Sequence, residues 1–449
     1  MAFDLLIRDA LVVRETGVEP LWIGIEDGRI AAMDKELSGS AREIIDAKGL
    51  HVFPGVLDAH VHFNDPGRAD WEGAATGSAA FSAGGGTCFI DMPLNSSPPT
   101  LDAASFAEKR AAVGRVARTD FALWGGLTPG NIDRMEALAE AGVVGFKAFM
   151  SGSGIEDFNS CDDVTLFRGM LIAAHLGLPV AVHAENDAIV GVRAAQARKD
   201  GRTGVRDYLA SRPISAEAEA ISRAIALAAE AGCKLHIVHT SSARGVQIIH
   251  DAAASGVCDV SCETCPHYLL LSDSDVERLG AKAKCAPPLR SAAEKDKLVA
   301  LVVKGFVDTV GSDHSPAPLS MKQSENFFEV WGGISGVQST LRGLLTLPLP
   351  LELIAHLLTE NVARRFRLPD KGGLRIGADA DCVLMDLATA PILRLDELLD
   401  RHHLSPYVGR ALRGQVKRTV LRGRTIYQDG VLIGEPQGRF LRPGAMDAT

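Results

Sequence analysis

Two patterns of apolar and polar positions alternate along the chain. Residues 1–53 and about 372–449 carry short runs with apolar residues at every second position, as in LWIGIEDGRIAAM near the start and KRTVLRGRTIYQDGVLI near the end. That period of two predicts half-buried strands. Asp27-Gly28 and Asp429-Gly430 stand between such runs, where a two-residue hairpin needs residues that tolerate positive φ. The middle, about 54–371, alternates short apolar runs with longer amphipathic or Ala-rich stretches, the pattern of buried parallel strands covered by helices. Strands are expected at 56–62, 86–92, 121–127, 143–149, 178–184, 234–240, 258–264 and 307–313, with helical stretches between them at 104–118, 216–232 and 242–256. Eight βα units predict a (β/α)8 barrel over 54–371. The outer segments predict one small β domain assembled from 1–53 and 372–449, with the barrel inserted between them. A doubly wound sheet would need a phosphate loop after the first strand, and that strand leads instead to His60-Val61-His62.

Composition narrows the setting. The 449 residues are 46% hydrophobic and 23% charged, as in ordinary globular chains, which excludes disorder, collagen and coiled coil. The net charge of −9 offers no basic footprint for a phosphate backbone, so no nucleic-acid partner is expected. No run of about 20 apolar residues stands free of charges or Gly/Pro breaks, so no membrane span is expected. The N-terminal MAFDLLIRDALVVRETG reads as an alternating strand rather than an export signal. Eight cysteines spread through a long chain point to free thiols in a reducing cytoplasm. Cys262 and Cys265 form a single C-x-x-C and read as ordinary buried thiols rather than a zinc or redox pair.

The candidate chemistry sits at strand ends. His60 and His62 close the first strand, Lys147 the fourth, His183 the fifth, His239 the sixth and Asp313 the eighth, at the barrel end where active sites are built. His60 and His62 share a face because strand side chains alternate. Alone, two such histidines are more often hydrogen-bonded or solvent-facing than metal-binding. Adding His183, His239 and Asp313 reverses that preference, since imidazole and carboxylate are the ligands that zinc and similar ions take. Lys147 has two readings: a lysine snorkelling from a strand end, or an amine that reacts with carbon dioxide to give a carbamate bridging two cations. Asp313 is either a capping or salt-bridging aspartate, or a metal ligand that also moves a proton. Asn64 and Asn95, in post-strand loops, are candidate substrate contacts, although such asparagines often only form turns. His267 either lines the mouth or is a hydrogen-bonded loop histidine, and His175, His402 and His403 receive no role.

Taken together, PGVLDAHVHFNDPGR (54–68), GFKAFM (145–150), VAVHAEN (180–186), HIVHTSS (236–242), ETCPHYL (263–269), VGSDHSPAP (310–318) and WGGISGVQS give the chain a resemblance to the cyclic amidohydrolases of the amidohydrolase superfamily, and among these to the allantoinases. The resemblance implies a distorted barrel with a β-sandwich formed by both chain ends. It implies two divalent ions, zinc or else manganese or cobalt. His60 and His62 would hold the more buried ion and His183 and His239 the more exposed one, with carboxylated Lys147 (N6-carboxylysine) bridging and Asp313 as ligand and general base. It further implies a hydroxide bridging the ions that attacks a ring amide carbonyl of allantoin, giving allantoate, and a homotetramer. Dihydroorotases usually have an arginine where Asn64 stands, and tend to have a histidine within the motif that here reads Asp313-His314-Ser315-Pro316-Ala317. Hydantoinases and dihydropyrimidinases place a tyrosine where Gly152 stands. A small neutral cyclic amide is therefore the expected substrate. The alternatives are a hydantoin or dihydroorotate hydrolase, and a non-catalytic assembly protein of this fold that has lost its metal ligands; the six filled ligand positions weigh against the last.

Overall fold

A computed structural model describes residues 2–444. All eight expected barrel strands are present: Val56–Val61, Gly86–Asp91, Asp120–Leu123 with Gly125–Gly126, Phe146–Phe149, Val180–His183, Leu235–Ile237, Val260–Thr264 and Thr309–Val310. Neighbours pair in parallel in this order. The ring closes where His62 N donates to His314 O at 2.8 Å, joining the first strand to the segment after the last.

The ring is uneven in two places. The third strand was expected as one run over 121–127 but breaks at Trp124, whose backbone N bonds back to Asp91 O at 3.0 Å and whose indole donates to Ala59 O at 2.9 Å. A buried indole has to find an acceptor, and reaching this one takes Trp124 out of the ladder. The eighth strand ends at Val310, three residues short of its expected end. Gly311 follows, and a Cβ there would lie 2.8 Å from both Glu263 Oε2 and the His60 Cβ. The chain has no room for a side chain where those two groups meet.

Helices cover the barrel by simple patterning. Ile214–Ala231 turns Ala216, Ala220, Ile221, Ala224, Ile225 and Ala228 inward and ends on Gly232 at φ 65°, the left-handed cap that glycine adopts without a Cβ penalty. Burying Ile221 or Ile225 contributes about 1.5–3 kcal/mol each.

The outer segments form one nine-stranded sheet: Ala2–Arg14, Gly17–Glu26, Arg29–Asp34, Ser40–Asp46 and His51–Pro54 join Cys382–Asp386, Gln415–Leu421, Arg424–Gln428 and Val431–Leu432. The seam is antiparallel pairing of His51–Pro54 with Cys382–Asp386. Asp27-Gly28 and Asp429-Gly430 are both hairpin turns with positive φ at each residue. Among the described residues no helix is long and apolar enough to cross a membrane, and all eight cysteines are free and buried.

Candidate metal centre and active site

The strand ends bring His60, His62, Asn95, His183, His239 and Asp313 onto the wall of one cleft of about 350 Å³. Lys147 lies fully buried beneath it. His60 Nε2 is 3.3 Å and His62 Nε2 3.4 Å from Asp313 Oδ1. His183 Nδ1 is 3.1 Å from His239 Nε2, and the rings of His60 and His239 are 5.3 Å apart between centroids, so the two groups adjoin. His239, Asp313 and Asn95 have φ of 40°, 45° and 68°, left-handed conformations that cost energy in non-glycine residues and persist where surrounding contacts impose them. For His239 one such contact is its own N–H, which donates to Glu263 Oε1 at 3.3 Å.

Electrostatics sharpens these assignments. Burial would raise the Asp313 carboxyl, but His60 and His62 outweigh it and hold the group well below the usual carboxylate range. Burial lowers His62, His183 and His239, the last further through Lys147 and its neighbouring imidazoles. Lys147 is pushed by burial down to about 7, and its Nζ has no hydrogen-bond partner. It lies 4.9 Å from the centroid of the Phe149 ring, which stacks on His183.

The residues fit a pair of divalent cations. His60 Nδ1 faces Glu263 Oε1 at 2.7 Å, and His183 Nε2 faces Glu185 Oε2 at 2.9 Å. Each carboxylate fixes a ring N–H on that side. The opposite nitrogens then present lone pairs, His60 Nε2 toward an ionised carboxylate and His183 Nδ1 toward another imidazole. For His60 Nε2 and Asp313 Oδ1 this sets acceptor against acceptor at 3.3 Å, which is repulsive without a cation between them. The buried, unpartnered Lys147 amine lies close to these imidazole and carboxylate donors.

Other expected residues are placed differently. Asn64 is fully buried with both amide atoms unpartnered, and it is absent from the cleft wall that holds Asn95. The Asn95 amide donates to Ser315 Oγ at 3.4 Å. His267 is buried, its ring unpartnered and pushed by burial down to about 4, and it too stands off that wall. At Gly152 only the backbone N–H is available, and it donates to Asp187 Oδ1 at 3.1 Å. Four participants were missed from sequence: Glu185, Glu263, Arg212 and the segment Phe328–Gly333 that walls the cleft. Glu185, in the motif VAVHAEN, had an available signal as a carboxylate two residues beyond the strand-end His183, whereas Glu263, in ETCPHYL, had none of that kind.

The chain has clear relatives among known proteins. The amidohydrolase family matches residues 51–426. The chain is 55% identical over 447 residues to an allantoinase of Rubrobacter xylanophilus, covering 98% of each chain. It is 49% identical to an allantoinase of Deinococcus radiodurans, covering 99% of this chain and all of that one. Among solved structures, L-hydantoinase from Arthrobacter aurescens superposes with a TM-score of 0.95 at 34% identity, covering 98% of this chain and 100% of that one. Dihydropyrimidinase from Brevibacillus agri gives 0.90 at 28%, with 98% of each chain covered. The chain belongs to the amidohydrolase family, as a cyclic-amide hydrolase of its allantoinase group.

Proposed function

We propose that this protein opens the hydantoin ring of allantoin to give allantoate, in allantoin and purine catabolism, using two divalent ions held at the strand ends. The observation that carries the reading is the convergence of His60 and His62 on the Asp313 carboxylate and of His183 on His239 at one cleft, with the unpartnered Lys147 amine nearby. His60 and His62 would hold one ion and His183 and His239 the other, with Asp313 as a further ligand. Lys147, as its carbamate, would supply carboxylate oxygens to both. The neutral amine adds to carbon dioxide, forming an N–C bond and releasing one proton, and the low Lys147 value supports this because the neutral form is the nucleophile. When bound, such ions supply Lewis acidity and bring the pKa of water down toward about 7. Zinc fits the donor set, as do manganese and cobalt.

Asp313 performs the proton chemistry. Its carboxylate stays ionised beside the imidazoles, accepts the proton of the attacking water and returns it to the departing ring nitrogen. The products are a carboxylate and an open ureido chain. Asn95, on the cleft wall, is the proposed amide contact to the substrate. A neutral ring suits a site with Asn64 where a carboxylate-binding arginine would stand. The eight free, buried cysteines support a cytoplasmic setting, and the likeness to cyclic amidohydrolases supports a homotetramer.

The test is a comparison of ring opening by metal-loaded protein on allantoin, a 5-substituted hydantoin and dihydroorotate. Allantoin is expected to turn over fastest. Turnover of either other ring with allantoin left intact would refute the assignment.

A further inference from the structure

Each histidine pair has one member steadied by a buried glutamate, and only one of the two glutamates is also paired with a guanidinium. Glu263 meets His60 Nδ1 through Oε1 at 2.7 Å, and its Oε2 is 3.5 Å from His236 Nε2. The other nitrogen of His236 meets Ser261 Oγ at 2.7 Å. Among the described residues no lysine or arginine pairs with Glu263. Glu185 meets His183 Nε2 at 2.9 Å, and the same oxygen takes a short hydrogen bond from Arg212 Nη1. Glu185 is fully buried, whereas the Arg212 side chain is 17% exposed and reaches the cleft wall.

A carboxylate on the outer nitrogen of an imidazole fixes its tautomer and makes the inner nitrogen a better donor to a cation. A guanidinium on that carboxylate cancels much of its charge and adds its own repulsion. We infer that Glu263 and Glu185 are positioning residues for His60 and His183, and that Arg212 weakens cation binding at the His183–His239 site relative to the His60–His62 site. The centre is thereby graded, with a tightly held inner ion and an outer ion whose affinity Arg212 sets from the cleft side. This rests on the two-ion reading above.

The test measures zinc retained per chain, by elemental analysis, against time after adding a strong chelator to the zinc-loaded full-length protein. Wild type is expected to lose one ion faster than the other. Glu185→Gln should speed that faster loss about 10-fold, and Glu263→Gln should speed the slower one. Arg212→Met should slow the faster loss severalfold, and Arg212→Gln gives the same sign should the first variant not fold. General damage to the site would speed release in all variants, so the opposite signs of Glu185→Gln and Arg212→Met carry the test. Same-direction or absent effects in a protein that holds two ions overturn the inference alone. A wild type that never loads two ions overturns the two-ion reading and this inference with it.

Discussion

Lys147 concentrates the chemistry of single residues in this site: a fully buried amine with no hydrogen-bond partner, pushed by burial down to about 7. Burying a bare ammonium is costly, and conversion to a carbamate between cations, as proposed, would remove that cost. Lys147→Ala is therefore expected to lose metal and activity together, with partial recovery of both on adding a small carboxylic acid such as acetate. Full metal content in Lys147→Ala, measured by elemental analysis, would contradict the bridge. At this scale much was legible in the sequence. His60, His62, His183, His239 and Asp313 stand at the ends of apolar runs, and strand alternation puts the first two on one face. Glu263 was not legible, because its contact with His60 joins residues 203 positions apart. Asn64 shows the converse: its place beside His62 suggested a cleft contact, and a φ of 66° goes with a side chain off the cleft wall.

Among the elements, the segment Phe327–Gly333 decides the shape of the cleft. Two buried lysines hold it by its carbonyls. Lys284 donates to Phe327 O at 2.6 Å and also to Val330 O, and Lys322 donates to Trp331 O at 3.0 Å and Gly333 O at 2.7 Å. Trp331 packs edge-on against Trp71, centroids 4.9 Å apart, from the loop after the first strand. At Gly333, with φ 155°, a Cβ would stand 2.0 Å from Ser315 O. Gly333→Ala should displace the segment and raise KM for allantoin severalfold, and an unchanged KM would show that the wall does not touch substrate binding.

The clamp also carries a pH signature. Burial pushes Lys322 down to about 8, while an unfolded lysine titrates at about 10.4. Between these values the unfolded chain binds more protons at this site, so stability rises with pH; below about 8 both states are protonated and the burial cost is complete. Lys322→Met removes this contribution. Its urea midpoint should rise less than that of wild type between about pH 8 and 10, and parallel curves would contradict the assignment. None of this could be read from apolar periodicity, because the segment has no regular structure and its anchors are backbone carbonyls. The strands themselves were readable, apart from the break at Trp124 and the early end at Val310, where side-chain partners override the pattern.

For the whole molecule, the nine-stranded sheet and the barrel are tied by one buried ion cluster. Lys371 Nζ lies 2.7 Å from Asp120 Oδ2, 2.8 Å from Asp379 Oδ2 and 2.7 Å from Asp381 Oδ2. Arg422, in the turn after Gln415–Leu421, pairs with Asp120 from the other side. Three clustered aspartates could suggest a cation site, but the Lys371 ammonium already fills their centre. Lys371→Met would leave these carboxylates short of a counter-charge and should destabilise the protein by about 3–5 kcal/mol, read as a fall in urea midpoint. A change within the error of the measurement would show that the cluster is not a structural tie. The joining of both chain ends was foreshadowed by their shared period of two, whereas the cluster was not, because it draws on residues from 120 to 422.

The central claim is that six strand-end side chains hold two ions that open allantoin. Its most direct test is the rate of allantoate formation as metal is titrated back into metal-free protein in bicarbonate buffer, with Asp313→Asn alongside. The account predicts turnover that climbs to a plateau at two ions per chain and is lost in Asp313→Asn. Turnover that is complete without added metal, or that persists in Asp313→Asn at the wild-type rate, would contradict it.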